Sequence, residues 1–259
     1  MAHPAPHIEL FSHSYIHPQA RTLQVGLAAT QNEIRAAQRL RYRVFVEEMG
    51  AELEGAHDGI ESDLFDPYCQ HLIVRDVGCD KVVGYYRILT DTQALRAGGF
   101  YSQSEFDLSR ILALPGRFME VGRTCVHPDY RNGATIGLLW AGLARFMIMN
   151  NFNYLMGCAS ISMNLGLRHV AAVCRYLRLH HLSSPESRVM PRVPVPLLHE
   201  QDEVARVDLP PLLRGYMHMG AVVCGEPAWD PDFNTADLFI LLDADRLNAR
   251  YLRHFVDRF

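Results

Sequence analysis

Residues Phe118 to Val126 (FMEVGRTCV) read as a strand that carries one carboxylate in an otherwise apolar run. Burying a carboxylate without a partner is expensive. Glu120 is therefore either neutralised by a cation such as Arg123 or kept for chemistry. Against an apolar sheet its pKa rises, which suits a general base working near neutrality. Strict alternation puts Glu120, Gly122 and Thr124 on one face, and Val121, Arg123 and Cys125 on the other. On that phasing Cys125 lies off the Glu120 face, which argues against it as a nucleophile.

Two further stretches could bind. The run Glu61-Ser62-Asp63-Leu64-Phe65-Asp66 places three carboxylates within six residues, and these repel unless a cation joins them. Arg41, Arg43, Arg87 and Arg123 are the long cations available. The run is either a solvated loop or a site for a cationic substrate; it lacks the spacing of an EF-hand calcium loop. The stretch Val126-His127-Pro128-Asp129-Tyr130-Arg131-Asn132-Gly133 then leads into a long apolar helix. Its amides could hold a pantetheine or pyrophosphate, although it is neither a P-loop nor G-x-G-x-x-G.

The elements that must position these residues follow from periodicity. Residues 21–29 form a first strand. Thr30 or Asn32 caps a helix that carries Ile34, Ala37, Leu40, Val44 and Phe45 to about Glu48. Residues 50–67 are an acidic loop. A hairpin spans His71–Val77 and Val82–Leu89 around a Gly78–Lys81 turn. Phe118–Val126 is the fourth strand, Thr135–Met149 an apolar helix, Tyr154–Ala159 a fifth strand and 163–179 another helix. Residues 185–196 are extended and proline-rich. Asp237–Leu242 is a late strand, followed by a closing helix near 244–257. This order predicts a mixed α/β (α+β) sheet flanked by helices.

Composition narrows the class. The chain has 259 residues, 49% hydrophobic and 21% charged, which excludes a disordered or fibrous protein. Net charge is −4, a field that disfavours nucleic acid as a partner. The six cysteines include no C-x-x-C pair, and His180 and His181 point to different sides of a helix end, so no metal site is expected. No apolar leader or span-length run is present, which predicts a protein of a reducing compartment, the cytoplasm. Residues 1–20, with His3, His7, His13 and His17, read as a flexible segment. The Met-rich stretch 215–220 reads as core or as a lipid contact.

Four blocks carry a resemblance: Leu40 to Gly50 (LRYRVFVEEMG), Phe100 to Ser109 (FYSQSEFDLS), Glu120 to Arg131 (EVGRTCVHPDYR) and Asp230 to Asp237 (DPDFNTAD). The strand–turn–helix at VHPDYRNG resembles the acceptor-loop region of the GNAT N-acyltransferase superfamily. Together and in order, the blocks resemble bacterial L-ornithine N-alpha-acyltransferases. A more distant similarity is to acyl-homoserine-lactone synthases, on Arg41, Phe45, Glu61, Asp63, Asp66, Arg87, Glu120 and Arg123. The Trp those synthases carry after the first helix is Met49-Gly50 here, and the C-terminal part is longer.

The resemblance implies one GNAT-like domain over 21–259, elaborated from about 185, with a mostly antiparallel sheet. It implies transfer of a long-chain (3-hydroxy)acyl group from acyl-carrier protein to the α-amine of ornithine, giving lyso-ornithine lipid. No cofactor is implied beyond the acyl thioester. Glu120 would act as base, directly or through a water, and amides near Cys125 and Val126 would hold the oxyanion. Glu61, Asp63 and Asp66 would hold the side-chain ammonium, or else form a scaffold with Arg41 and Arg87. Arg87 or Arg123 would hold the carboxylate. Arg41 and Phe45 complete the substrate side; Val126, His127, Arg131, Asn132 and Gly133 form the donor side. Trp140, Leu143, Phe146 and Met147 are candidates for the acyl slot, although most of them read as plain core. Arg131, Arg168, Arg175 and Arg178 are candidates for docking the acidic carrier protein. Acylation of another amino acid, a homoserine-lactone-type synthase using S-adenosylmethionine, and a non-catalytic lipid-binding protein at the membrane face are the alternatives.

Overall fold

The computed structural model describes residues 12–16, 22–196 and 207–247. Strands β1 (Ser12–Ile16) and β2 (Thr22–Leu27) precede helix α1 (Gln31–Tyr42). A small hairpin, β3 (Ala56–His57) and β4 (Ile60–Glu61), leads to β5 (Gln70–Asp76) and β6 (Lys81–Thr90). Then come α2 (Asp91–Ala97), β7 (Phe106–Asp107), α3 (Ser109–Leu112), β8 (Phe118–Val126), α4 (Ala134–Met149), β9 (Tyr154–Ser162) and α5 (Leu167–His180). The chain continues through β10 (Met190–Pro191), α6 (Pro211–Met219), β11 (Val222–Val223), β12 (Ala228–Asp230) and β13 (Thr235–Asp243).

The main sheet runs β1-β2-β5-β6-β8-β9-β13-β11, with β12 added against the first residues of β13. Every pairing in it is antiparallel except β8 with β9. The expected mixed, mostly antiparallel sheet is therefore what forms. Its parallel step is short: Phe118, Met119 and Glu120 pair with Tyr154, Leu155 and Met156, and there the two strands part. Beyond that point β9 stays with β13, in unbroken register from Tyr154↔Asp243 to Ser162↔Thr235.

Helices α4, α5 and α6 cover one face through a core that includes Leu138, Phe146, Val173, Leu177 and Leu213. Helices α1, α2 and α3 lie on the other, over two smaller clusters. Apolar spacing makes α1 amphipathic, and Thr30 starts it with a capping box: its hydroxyl accepts from Glu33 N, and Glu33 Oε2 accepts from Thr30 N. The helix expected to run to Glu48 does so, but its last turn, Arg43–Glu48, widens to π-helix. α6 lies so close to α4 that a Cβ at Gly215 would fall 2.0 Å from the Trp140 ring. The stretch that read as core or lipid contact is thus core, with Tyr216, Met217 and Met219 buried.

Three expectations need adjustment. Ser12–Ile16, within the segment expected to be flexible, pairs with β2; the rest of 1–21 lies outside the described residues. The closing helix begins as a single 3-10 turn, Ala244–Arg246, and residues beyond 247 lie outside the description. Leu143, Phe146 and Met147, offered as an acyl slot, are core, and Trp140 donates its indole N–H to Tyr86 OH at 3.4 Å. No described helix is long and apolar enough to cross a membrane.

Candidate active site

The parting of β8 from β9 opens a cavity of about 230 Å³. Glu120, Gly122 and Arg123 from β8, Cys158 and Ser160 from β9, and Asp237 from β13 line it. Val44 and Phe45 from the π-helical turn, Arg87 from β6, and Tyr101 and Phe233 from loops close it. Thr124 and Leu212 reach it from the α4–α6 side, so the opening passes between the strands. A Cβ at Gly122 would meet nothing within 4 Å; the absent side chain is part of the open space.

A bulge sets the phase of β8. Tyr85 pairs with Cys125 and Arg87 with Gly122, so Arg123 and Thr124 together oppose Tyr86. Arg123 takes a left-handed φ of +50° to allow it. Strict alternation therefore fails after Gly122. Arg123 joins Glu120 at the cavity, and Cys125 also turns to the α1 face, into the cluster of Leu40, Val44 and Phe45. Burial pushes the Cys125 thiol far up, so it is no nucleophile. Cys125 and Val126 sit opposite Tyr85 and Gly84 in the ladder and do not line the cavity; Gly122, Arg123 and Thr124 do.

Glu120 is 4% exposed. Its Oε2 accepts from Tyr101 N at 2.7 Å; its Oε1 accepts from Ser102 N at 2.8 Å and from Ser102 Oγ at 2.6 Å. Burial raises its pKa, and these three donors only partly offset it. Arg123 does not pair with it: the cation that alternation put on the opposite face pairs elsewhere.

That partner is the acidic run, which closes on arginines. Glu61 pairs with Arg41 and Arg123; Asp63 with Arg87 at 2.5 Å and Arg123 at 3.1 Å; Asp66 with Arg41 at 2.8 Å and Arg87 at 3.1 Å. Gln38 donates to Asp66 at 3.1 Å, and Arg41 also donates to Tyr85 OH at 3.3 Å. Burial alone would raise Asp63, but Arg87 and Arg123 outweigh it and hold the group at about 2. Three carboxylates against three guanidinium groups leave the network neutral. Arg41, Glu61, Asp63 and Asp66 do not line the cavity, whereas Phe45, Arg87 and Arg123 do. The scaffold alternative describes this loop; a direct ammonium site there does not.

The turn before α4 is basic. Arg43 Nη1 and Lys81 Nζ each lie 2.7 Å from His127 Nε2, and His127 Nδ1 accepts from Asp129 N at 3.3 Å. Burial, then Lys81 and Arg43, push the His127 pKa down, so the ring is neutral between two cations. Arg131 is tied to Glu48 and donates to Val126 O; Asn132 accepts from Ala134 N; Gly133 takes φ +91° at the start of α4. Of the candidate docking arginines, Arg178 pairs with Glu226 at 2.7 Å.

Some cavity residues carried no assigned role in the sequence: Tyr101, Ser102, Cys158, Asp230, Phe233 and Asp237. A signal existed for Asp237, a lone carboxylate in TADLFILL, by the reasoning that singled out Glu120. Glu105, Cys158 and Asp237 are the described group whose ligand atoms could hold a metal, all within 4.8 Å of one another. The group has no histidine, and two of its three donors are carboxyls, a poor set for a soft metal.

The sequence model of the acetyltransferase (GNAT) domain family matches residues 40–141. The L-ornithine N(alpha)-acyltransferase of Agrobacterium fabrum is 37% identical over 252 residues, covering 90% of this chain and 85% of that protein. The protein of the same name from Rhodobacter capsulatus is 35% identical over 248 residues, covering 91% and 95%. In fold, the chain is similar to FeeM, an N-acyl amino acid synthase from uncultured soil microbes (TM-score 0.55, 12% identity, 88% of this chain and 94% of that one). It is also similar to the acyl-homoserine lactone synthase BjaI (TM-score 0.53, 17% identity, 96% and 88%).

Proposed function

Because the chain belongs to the L-ornithine N(alpha)-acyltransferase family of N-acyltransferase enzymes, we propose that it joins a long-chain (3-hydroxy)acyl group, delivered as a thioester on acyl-carrier protein, to the α-amine of L-ornithine. The product would be lyso-ornithine lipid. The family sets aside the non-catalytic lipid-binding alternative. One observation carries the reading: Glu120, with both oxygens fixed and its pKa raised, faces the opening where β8 and β9 part.

The chemistry follows from that placement. An α-ammonium has a reference pKa of about 8, so a carboxylate with a raised pKa can take its proton, directly or through one water. The free amine attacks the thioester carbon. The tetrahedral oxyanion then needs donors, and a backbone N–H among Gly122, Arg123 and Thr124, the β8 residues that line the cavity past the parting point, would supply one. Collapse expels the pantetheine thiolate, which takes up a proton, and leaves an amide. Arg87 or Arg123 meets the amino-acid carboxylate. No covalent enzyme intermediate is needed.

The basic turn suits the donor. Arg43 and Lys81 share a neutral imidazole, and among the described residues neither has a carboxylate within ion-pair distance. A carrier protein presents a phosphodiester at the base of its pantetheine arm, and this cluster would meet it. Lys81→Glu is expected to raise the KM for acyl-carrier protein about tenfold and to flatten its salt dependence, with kcat little changed. Steady-state rates at two ionic strengths check this; an unchanged KM removes Lys81 from the donor site.

The reading as a whole is tested by mass spectrometry of lipids from a bacterial host expressing the chain. A new long-chain N-acyl-ornithine is expected. N-acyl products of another amino acid would keep the chemistry and move the acceptor. Absence of any new acyl-amide, with folded enzyme and carrier protein present, would defeat the proposal.

A further inference from the structure

The wall of the cavity formed by β12 and β13 is acidic and has no basic side chain paired with it. Asp230 and Asp237 line the cavity. Glu105 stands behind them, its ligand atom within 4.8 Å of those of Cys158 and Asp237. None of the three carboxyls has an arginine or lysine within ion-pair distance among the described residues. Both Glu105 oxygens are sealed from solvent, with the Cys158 thiol as the polar group beside them. Carboxyls buried beside one another are costly to ionise, and a cation entering the cavity offsets that cost. Burial and its acidic neighbours push Glu105 up to about 9, and burial, with Asp230, pushes Asp237 up to about 6.

This wall is within an amino acid's reach of Glu120. Ser102 Oγ donates to Glu120 Oε1 at 2.6 Å and accepts from Cys158 Sγ at 3.3 Å. Two hydrogen bonds thus separate the base from the acidic group. The chain's other dense acidic run is already neutralised by Arg41, Arg87 and Arg123. We propose that Asp230 and Asp237, backed by Glu105, form the subsite for the second, non-reacting ammonium of a diamino-acid acceptor, with Asp230 and Asp237 meeting the cation. The inference rests on the acyltransferase reading with ornithine as acceptor. It moves the ammonium away from Glu61, Asp63 and Asp66, which the sequence offered either as its site or as a scaffold.

The test compares L-ornithine with L-norvaline, the same carbon chain without the second amine, using acyl-carrier-protein thioester and full-length enzyme. Wild type is expected to prefer ornithine in kcat/KM by ~100-fold or more. Asp230→Asn and Asp237→Asn each take one carboxylate from that wall and keep an oxygen that accepts the same hydrogen bonds. Each is expected to lose at least about tenfold of that preference through the KM for ornithine, with thermal melting at the wild-type temperature showing the fold intact. Ornithine acylation with the preference unchanged in both variants overturns the subsite alone. Loss of norvaline turnover in both variants shows a structural wall and also overturns it. Activity abolished by a chelator and restored by zinc assigns the group to a metal instead. A wild type that acylates norvaline but not ornithine overturns the ornithine reading and the subsite together.

Discussion

Glu120→Gln is expected to lower kcat by about 10²–10⁴-fold, the usual contribution of a positioned general base. Gln is nearly isosteric but cannot take the proton. It also turns an amide N–H₂ against donors at Tyr101 N or Ser102, because the carboxylate accepts three hydrogen bonds there. A stability loss of about 1–3 kcal/mol should accompany the substitution. Thermal melting separates that loss from the chemical one. The pH profile supplies a second readout. The base works ionised, and burial raises its pKa. The acid limb of kcat/KM should therefore lie above the ordinary glutamate value of 4.5 and vanish in the variant. Retention of more than a tenth of kcat by a folded Glu120→Gln enzyme ends the assignment.

Arg41→Met is expected to be the most destabilising single change, at about 3–5 kcal/mol, and to unfold much of the protein at 37 °C. Arg41 is fully buried and bridges Glu61 to Asp66. Methionine fills much of the volume but leaves two buried carboxylates short of a cation. Urea unfolding measures the loss. The sign of its pH dependence follows from the carboxylates. Asp63 is held at about 2, against 3.8 in an unfolded chain, and Asp66 is also lowered. The stability they contribute is fully present above about 4 and is lost as pH falls toward 2. Removing Arg41 should move acid unfolding to higher pH. A midpoint and acid limb matching wild type would show that Arg87 and Arg123 suffice to hold the loop.

Much of this was legible in the residues. Period-2 and period-3.6 patterns located the strand 118–126, the helix before the acidic loop and the apolar helix α4 within a residue or two. Glu120 stood out because a charge in an apolar strand demands a reason. Three things escaped local patterns. The bulge at Arg123 shifts the phase of β8 by one residue, which alternation cannot register, so Arg123 and Cys125 were set on the wrong face. The acidic run offered no sign of which arginines it would meet, because Arg41, Arg87 and Arg123 come from three separate elements. The donors to Glu120 are backbone N–H groups of Tyr101 and Ser102, and these leave no mark in side-chain chemistry.

The unbroken register between β9 and β13 has a consequence for how such enzymes diversify. Glu120 and the basic turn sit before β9, within the part of the chain that the acetyltransferase family match covers. Asp230, Phe233 and Asp237 arrive afterwards, on a hairpin held to β9 by a regular ladder. Register is set by which face each residue takes, so side chains on the cavity face can be exchanged without moving the ladder. Recombination in the stretch between β9 and β12 could thus trade one acceptor preference for another while the reaction chemistry is inherited intact. Lineages descended from one ancestor would then differ in the amine they modify, with the same base upstream.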